Sequence, residues 1–311
     1  MWRCYELKYE AKSPLHIGYG AQLGIVSKTR YYIPGKTMWG AVTAVLSRSI
    51  MESYDPALYQ KVGEFVKNHL ILSYFYPVKG IDFLYPNYTA EGLGFGSKED
   101  NTFVMSKEEF EKEAITSYVS TGLDKTSRTA EEGSLHEFEL VSSMEYIGYL
   151  FTNLEKNQGN AKYGLSIFVR EVSDEKIRVE IKGREVELFE AIKEIQVGGE
   201  RIYGFGKVGL KDKREIKDKK ILNGYEIALN SDKPRIKADI ALSHLMLKDD
   251  NVEYFAKLAN IRGDIEPLVW REWSEKGAGQ KPNFRGIALV PGSRFDWKEM
   301  EIGEYSILQP M

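Results

Sequence analysis

A glycine-rich run constrains the fold and the chemistry of this 311-residue chain more than any other segment. Residues 197–210 read VGGERIYGFGKVGL and hold five glycines, Gly198, Gly199, Gly204, Gly206 and Gly209. Glycine permits positive φ and close backbone approach, and consecutive N–H groups in such a loop can form an anion-binding concavity. Because Arg201, Tyr203 and Lys207 are interleaved with the glycines, the run predicts a cradle for a nucleic-acid backbone. A glycine-rich hairpin with ordinary turns is the alternative.

The overall composition limits how a nucleic-acid partner can be held. With 43 basic and 46 acidic residues the formal charge is −3, so any such partner must be bound by local charge. The one cysteine, Cys4, excludes an internal disulfide and a cysteine-based zinc site. The first ten residues are charged and strand-like, unlike a signal peptide, and no apolar run approaches membrane-spanning length. We therefore expect a cytoplasmic protein without a membrane partner.

Apolar periodicity and turn residues predict an alternation of strands and helices. The first strand covers 3–11, and the helix after it is expected to begin at Thr37 as its N-cap. Ser106 and Glu109 have capping-box spacing at the start of a helix at 106–117. The other predicted elements are a helix at 57–68, a buried strand at 70–78, strands within 135–152, strands at 163–172 and 176–182 joined through 173–175, a helix at 184–196, a strand ending near Leu210, a strand at 225–229, a helix at 249–260 and a loop at 277–286.

This order of elements predicts an α+β protein with a ferredoxin-like (RRM-like βαββαβ) core. The core domain is expected to cover residues 1–212, with an inserted, thumb-like arm at about 96–136. A charge run, KDKREIKDKK at 211–220, marks a soft boundary. Residues 213–311 then form either a C-terminal extension or a second, degenerate ferredoxin-like domain.

A second basic feature lies near the N-terminus. Between Glu10 and Glu52 there are five basic residues and no acidic one, a local charge of +5. Tyr31, Tyr32 and Trp39 lie among these charges and could stack on bases, so the segment predicts phosphate and base contacts. A solvated loop with its aromatic residues in the core is the alternative. The five basic residues are Lys12, Lys28, Arg30, Lys36 and Arg48.

Three stretches together resemble one family. They are SPLHIGYG…YYIPGKTMWGA at 13–41, TGLDKTSRTAEEGSLHEFELV at 121–141 and VGGERIYGFGKVGL at 197–210. In this order they are similar to the RAMP superfamily of CRISPR-associated proteins, which are RNA-binding subunits of effector complexes. The resemblance covers residues 1–212. The TAEEGSL arm and the YPVKG–LYPN pair at 76–87 favour a subunit of a type III complex, of the Csm or Cmr kind.

The resemblance implies a ferredoxin-like core, no cofactor, and binding of CRISPR guide RNA through the glycine loop and the first-helix region. It also implies assembly with other effector subunits. Among these subunits, we favour a single-copy subunit at the 5′ end of the guide as the identity of this chain. The arm at 121–138 would be the family's thumb, which in backbone subunits wedges between guide and target strands, so target RNA is a further candidate partner. The candidate RNA-binding residues are Lys28, Arg30, Lys36, Arg128, Gly198, Gly199, Arg201, Tyr203, Gly204, Gly206 and Lys207.

The sequence favours a non-catalytic, guide-binding subunit over an enzyme. The interval between the first strand and the first helix holds no Asp or Glu, so a metal-assisted nuclease site would lack its ligand there. The runner-up is a metal-independent endoribonuclease that processes CRISPR transcripts with His16 as general acid or base. Residues such as His69, His244, Arg285 and the pair Asp249–Asp250 are expected to be packed, paired or solvated. A third interpretation is a subunit that contacts only protein neighbours.

Overall fold

A computed structural model describes residues 2–23, 25–53, 55–97, 102–153, 167–173, 176–181, 184–222, 224–247, 261–274 and 277–311. The chain is a mixed α and β protein in which strands dominate. In chain order the elements are β1 (Trp2–Ala11), β2 (Gly18–Leu23), β3 (Val26–Thr29), α1 (Gly35–Ile50), α2 (Pro56–His69), β4 (Leu70–Leu72), β5 (Tyr76–Lys79), β6 (Asp82–Phe83), β7 (Pro86–Thr89), β8 (Gly92–Phe95), β9 (Met105–Ser106), α3 (Lys107–Ala114), β10 (Ile115–Ser120), β11 (His136–Val141), β12 (Glu145–Asn153), β13 (Ile167–Ser173), β14 (Lys176–Ile181), β15 (Arg184–Glu187), α4 (Leu188–Ala191), β16 (Glu194–Gln196), β17 (Lys207–Glu215), β18 (Lys220–Ile221), β19 (Tyr225–Ala228), β20 (Arg235–Ile240), β21 (Leu245–Leu247), β22 (Ile265–Ser274), β23 (Gly277–Leu289), β24 (Arg294–Ile302) and β25 (Leu308–Pro310).

The N-terminal sheet has β1 near its centre. Strands β17, β1, β12 and β4 are neighbours in that order, and each pair is antiparallel. Successive residues of β1 point to opposite faces, as the period of a strand requires. Leu7 and Tyr9 pack with Met38 and Val42 of α1 in one buried cluster, whereas Cys4 belongs to a second cluster. Both faces of this sheet are therefore covered.

The C-terminal residues supply the cover for the second face. Strands β18 to β25 form an eight-stranded sheet in the order β18, β19, β20, β24, β25, β21, β23, β22. Its buried side chains, among them Ile236 and Met300, share one cluster with Trp2, Cys4 and Phe151 of the N-terminal sheet. Burial of each large apolar side chain contributes about 1.5–3 kcal/mol, so the two sheets stabilise each other. No described helix is long and apolar enough to cross a membrane.

An arm projects between β10 and β11. These strands pair antiparallel from Ile115–Val141 to Ser120–His136, and the connecting residues 121–135 are almost all exposed. The tip is held by local hydrogen bonds, because Asp124 Oδ1 accepts from the N–H groups of Thr126 and Ser127. The arm therefore has an ordered tip although it buries little apolar surface.

Several predicted elements are confirmed where the signal is local. The helix expected at 57–68 spans Pro56–His69, and the strand expected at 225–229 spans Tyr225–Ala228. The capping box is present, since Ser106 Oγ accepts from the Glu109 N–H and the Glu109 carboxylate accepts from the Ser106 N–H. The helix after it ends at Ala114, where β10 begins.

Other predicted elements are wrong because pairing partners elsewhere in the chain decide the structure. Residues 184–196 form β15, the four-residue α4 and β16, since β15 pairs with β14. Residues 277–286, expected as a loop, lie in β23 and pair with β22. The N-cap of α1 is Pro34 rather than Thr37, without a side-chain cap. Residues 211–215 of the charge run extend β17, and the helix expected at 249–260 lies outside the described residues.

The first residue of α1 tests the contact between the two halves of the chain. A Cβ at Gly35 would lie 2.4 Å from the backbone oxygens of both Leu72 and Tyr305, whereas a Cβ at Gly40 would meet nothing within 4 Å. We expect Gly35→Ala to destabilise the protein by about 1–3 kcal/mol through overpacking. Gly40→Ala should be neutral or stabilising by up to about 1 kcal/mol, because alanine is the better helix former. Denaturant unfolding of both variants checks this, and equal effects would contradict the close contact.

Candidate nucleic-acid interface

The glycine-rich loop packs closely on the segment that follows β1. The Gly199 N–H donates to the His16 carbonyl at 2.8 Å, and the Gly206 N–H donates to the Pro14 carbonyl at 2.9 Å. Gly198 has φ +79°, and a Cβ there would lie 2.2 Å from the His16 carbonyl oxygen. These glycines are needed because the two backbones touch.

The N–H groups of this loop that are available to an anion differ from those predicted from the sequence. Three of the four predicted glycine donors are used internally, since Gly204 also donates, to the Arg201 carbonyl, and closes a 3-10 turn at Arg201–Tyr203. The N–H groups of Glu200, Arg201 and Ile202 donate to no other residue of the described chain. Glu200 is left-handed, with φ 51° and ψ 31°, and the turn follows it directly. Successive N–H groups in such a conformation converge on one point, so these three are the candidate donors of the predicted anion-binding concavity.

A cleft of about 900 Å³ brings the two basic features of the sequence together. Its lining includes Arg30 and Lys36 from the N-terminal basic segment and Gly198, Gly199 and Arg201 from the glycine loop. Strand β22 forms the opposite wall. The predicted proximity of these two sequence-distant segments is therefore present. Lys28, Tyr203, Gly204, Gly206 and Lys207 lie outside the lining.

Arg30 is engaged inside the protein rather than free for a phosphate. Its Nη2 lies 2.7 Å from Glu266 Oε1, and its Nη1 donates to the Tyr32 hydroxyl at 3.0 Å. The guanidinium also lies over the Tyr19 ring, 4.7 Å from the centroid. The charge of Arg30 is thus balanced by an acidic residue from β22.

A buried histidine extends this network. The Tyr74 hydroxyl lies 2.6 Å from His244 Nδ1, and His244 Nε2 hydrogen-bonds to Glu266 Oε1. Burial lowers the pKa of His244, so the ring is neutral at pH 7, donates through Nε2 to the carboxylate and accepts from Tyr74. Burial alone would raise the pKa of Glu266, but the hydrogen bond from His244 and the charge of Arg30 hold it below its usual range. Sequence analysis missed Glu266 and Tyr74 because nothing local links them.

Lys36 lies in a cage of aromatic rings. Its Nζ is 4.3 Å from the ring centroid of Tyr305, 4.7 Å from that of Trp270 and 5.1 Å from that of Trp39. A cation over aromatic faces is attracted by their quadrupoles, more strongly when it is partly desolvated. Lys36 therefore joins α1 to β22 and to the C-terminal segment, and this role accounts for its position better than a phosphate contact.

Exposed aromatic residues lie beside the loop, at the base of the arm. Tyr118 and Phe138 of the arm strands pack with Tyr203 and Phe205 of the glycine loop, with ring centroids 5.2–6.4 Å apart. Tyr118 is 39% exposed and Tyr203 is 42% exposed. We call these four residues the arm-base aromatic cluster. Two of its rings, Tyr118 and Tyr203, present surface to solvent beside the loop, which suits base stacking.

The histidine proposed for catalysis is packed. His16 is 6% exposed, its Nδ1 is 2.8 Å from the Glu139 carbonyl oxygen, and its ring meets Phe138 edge to face at 5.7 Å. His69, expected to pack at a helix end, is the last residue of α2 and stacks on Phe65.

The remaining candidate cations differ in their surroundings. Lys28, Lys207 and Arg128 are exposed, and Arg128 lies on the arm with φ 57°. Arg285 lies over the Trp270 ring and 3.9 Å from Glu272, so it is paired rather than isolated. The pair Asp249–Asp250 lies outside the described residues.

The aromatic cage makes stability depend on the protonation of Lys36. Burial lowers its folded pKa to about 8, whereas the unfolded value is about 10.4. Between these values the unfolded chain binds more protons, so the contribution of Lys36 to stability rises with pH. We expect the stability of the wild type relative to Lys36→Met to rise by about 1–3 kcal/mol from pH 7 to pH 10. Denaturant unfolding of both proteins at each pH measures this, and a flat or falling difference would contradict it.

Comparison with known proteins shows a shared fold. No family model and no curated protein matches the chain. Over 93% of its length the chain aligns with 85% of a chain in the cryo-EM structure of the Type III-B Cmr-beta bound to cognate target RNA and AMPPnP, with TM-score 0.54 and 11% identity. It aligns with 86% of a chain in the structure of Cmr-beta bound to cognate target RNA alone, with TM-score 0.52 and 11% identity. The resemblance to type III effector proteins is thereby confirmed at the level of the fold.

Proposed function

We propose that this chain binds guide RNA as a non-catalytic subunit of a type III CRISPR effector complex. One observation carries the proposal: the glycine loop and the N-terminal basic segment, more than 150 residues apart in sequence, line one cleft. The shared fold with chains in Cmr-beta structures bound to cognate target RNA supports it. Other effector subunits and target RNA are the further partners.

The strand order supports a ferredoxin-like core for residues 1–212. Strands β17, β1, β12 and β4 correspond to strands 4, 1, 3 and 2 of a βαββαβ unit, with α1 in the first crossover and the short α4 in the second. The arm between β10 and β11 takes the place of the family's thumb, with Arg128 at its tip. Residues 213–311 act as a second domain that covers the free face of the core sheet.

In this proposal, two kinds of group bind the RNA. Exposed Arg201, Lys207 and Lys28, with the N–H groups of residues 200–202, are available for phosphates. Exposed rings of the arm-base aromatic cluster are available for bases. Arg30 and Lys36 instead shape the cleft, because both are held by partners from β22.

The burial of His16 supports a non-catalytic role. A general acid or base must reach the reacting group within hydrogen-bond distance, and the His16 ring is enclosed by Phe138 and by the glycine loop. We expect no cleavage when the pure protein is incubated with CRISPR repeat RNA. Cleavage that His16→Ala abolishes, while binding persists, would establish the endoribonuclease alternative.

The exposed cations of the loop should set the salt dependence of RNA binding. We expect the double variant Arg201→Ala, Lys207→Ala to lose at least tenfold in affinity for single-stranded guide RNA. The slope of log K against log salt should become shallower by about 1.4, since each single-strand phosphate contact contributes about 0.7. A filter-binding titration at several salt concentrations measures both quantities.

The matched control is Lys237→Ala, an exposed lysine of β20 outside the cleft. It should leave the affinity and the slope unchanged. If the double variant behaves like this control, the loop does not bind the RNA backbone.

A further inference from the structure

One carboxylate in the cleft has an oxygen that accepts from no residue in the described part of the chain. Glu266 Oε1 receives both Arg30 Nη2 and His244 Nε2, whereas no described residue donates to Oε2. The Glu266 side chain is only 12% exposed, and the residue lines the cleft. The second oxygen of this largely buried carboxylate accepts no hydrogen bond from the described residues and is therefore a strong acceptor available to a ligand.

The network around Glu266 fixes both its charge and its orientation. Arg30 supplies the opposite charge, and neutral His244, itself oriented by Tyr74, donates to the same oxygen. Because both donors converge on Oε1, the carboxylate cannot turn without breaking two hydrogen bonds. Preorganisation of this kind lowers the entropic cost of binding a donor-bearing ligand.

The surroundings of Glu266 provide complementary groups. Arg30 also lines the cleft, and its five N–H donors exceed the two that are used by Glu266 and Tyr32. The half-exposed Tyr19 ring lines the cleft as well and offers an aromatic surface. At the glycine-loop side, Arg201 lines the cleft and suits a phosphate, and its backbone N–H donates to no described residue. A volume of about 900 Å³ is within the range that holds a small ligand.

We propose that this cleft binds one guanine nucleotide, whose N–H donors face Glu266 Oε2 and whose phosphate faces Arg201. Guanine presents the O6 acceptor beside two adjacent donors, N1–H and the 2-amino group, which matches an Arg N–H beside a carboxylate. Adenine and cytosine place a ring-nitrogen lone pair next to their amino group, and that lone pair is repelled by a carboxylate. Uracil presents a single donor between two acceptors. That this guanine belongs to a bound RNA strand is the part of the inference that rests on the proposed function.

Free nucleotides test the pocket without any variant. By calorimetry, we expect GMP to bind the full chain at least tenfold more tightly than AMP, CMP or UMP. The hydrogen-bond donors and acceptors of guanine predict this preference for GMP. Equal affinity for the four nucleotides, or no detectable GMP binding together with no guanine preference in RNA, would overturn the proposal.

A glutamine substitution tests the role of Glu266 itself. In Glu266→Gln the amide oxygen can keep the hydrogen bonds from Arg30 and His244, which places the NH₂ group where Oε2 was and turns an acceptor into a donor. We expect at least a tenfold loss of GMP affinity and little change for the other nucleotides. The control is Glu272→Gln on the same strand, whose carboxylate accepts from Asn283 Nδ2 at 2.9 Å and lines a neighbouring cavity. Equal effects of the two variants on a folded protein would overturn the proposal.

RNA oligonucleotides separate the two sources of guanine. If the guanine belongs to a strand, a single-stranded RNA with one guanine should bind more tightly than the same RNA with adenine in its place, and Glu266→Gln should abolish the difference. If the pocket takes a free nucleotide, GMP should bind while the RNA does not compete with it, which supports the pocket and shows that the RNA of the proposed function does not enter it. RNA binding without any base preference, in the wild type, contradicts the pocket and leaves the proposed function standing.

Discussion

The cleft depends on two cations of the N-terminal segment that hold the hairpin of β22 and β23 in place. Arg30 pairs with Glu266 on β22, and Lys36 lies among Trp39 of α1, Trp270 of β22 and Tyr305 near the C-terminus. Both contacts cross from the first two hundred residues to the last hundred. The pairing of β23 with β21 places the hairpin in the C-terminal sheet, and the two contacts fix β22 against α1 and the segment before it, so that it forms one wall of the cleft.

A buried ion pair of this kind is better understood as a positioning device than as a source of stability. Desolvation of Arg30 and Glu266 offsets most of their attraction, whereas removal of one partner leaves a buried charge and costs about 3–5 kcal/mol. Tyr32 and His244 supply additional hydrogen bonds that make the burial tolerable. The network therefore favours one arrangement of the two sheets over nearby alternatives, because any shift breaks several bonds together.

Sequence analysis correctly predicted elements whose signals lie within a few residues. It was wrong where the structure depends on a partner far away in the chain. The capping box at Ser106 and helix α2 depend on residues within a few positions, and both are present. The stretch at 277–286 has loop-like composition, yet it is a strand because β22 offers a pairing edge. The acid-free segment suggested free cations, but the partner of Arg30 lies 236 residues away.

The glycine loop shows a subtler difference between pattern and structure. The sequence predicts that the glycine N–H groups donate to an anion, whereas those of Gly199 and Gly206 donate to the backbone at 14–16 and that of Gly204 donates to the Arg201 carbonyl. The N–H groups of residues 200–202 donate to no other residue of the described chain. A glycine run predicts that the backbone closely approaches another group, but it does not identify that group. The pattern therefore could not identify which N–H groups of the loop are left without an acceptor.

The distribution of charge suggests how such a chain participates in an assembly. Its formal charge is −3, and two exposed cations of the glycine loop, Arg201 and Lys207, lie in the same loop as Tyr203 and Phe205 of the arm-base aromatic cluster. Because the chain carries no net positive charge, a polyanion would be held by local groups such as these rather than by the overall field of the protein. Affinity from a few phosphate contacts is modest and sensitive to salt. Under the proposed function, such a site would orient a short stretch of RNA and leave the rest of the strand to neighbouring subunits.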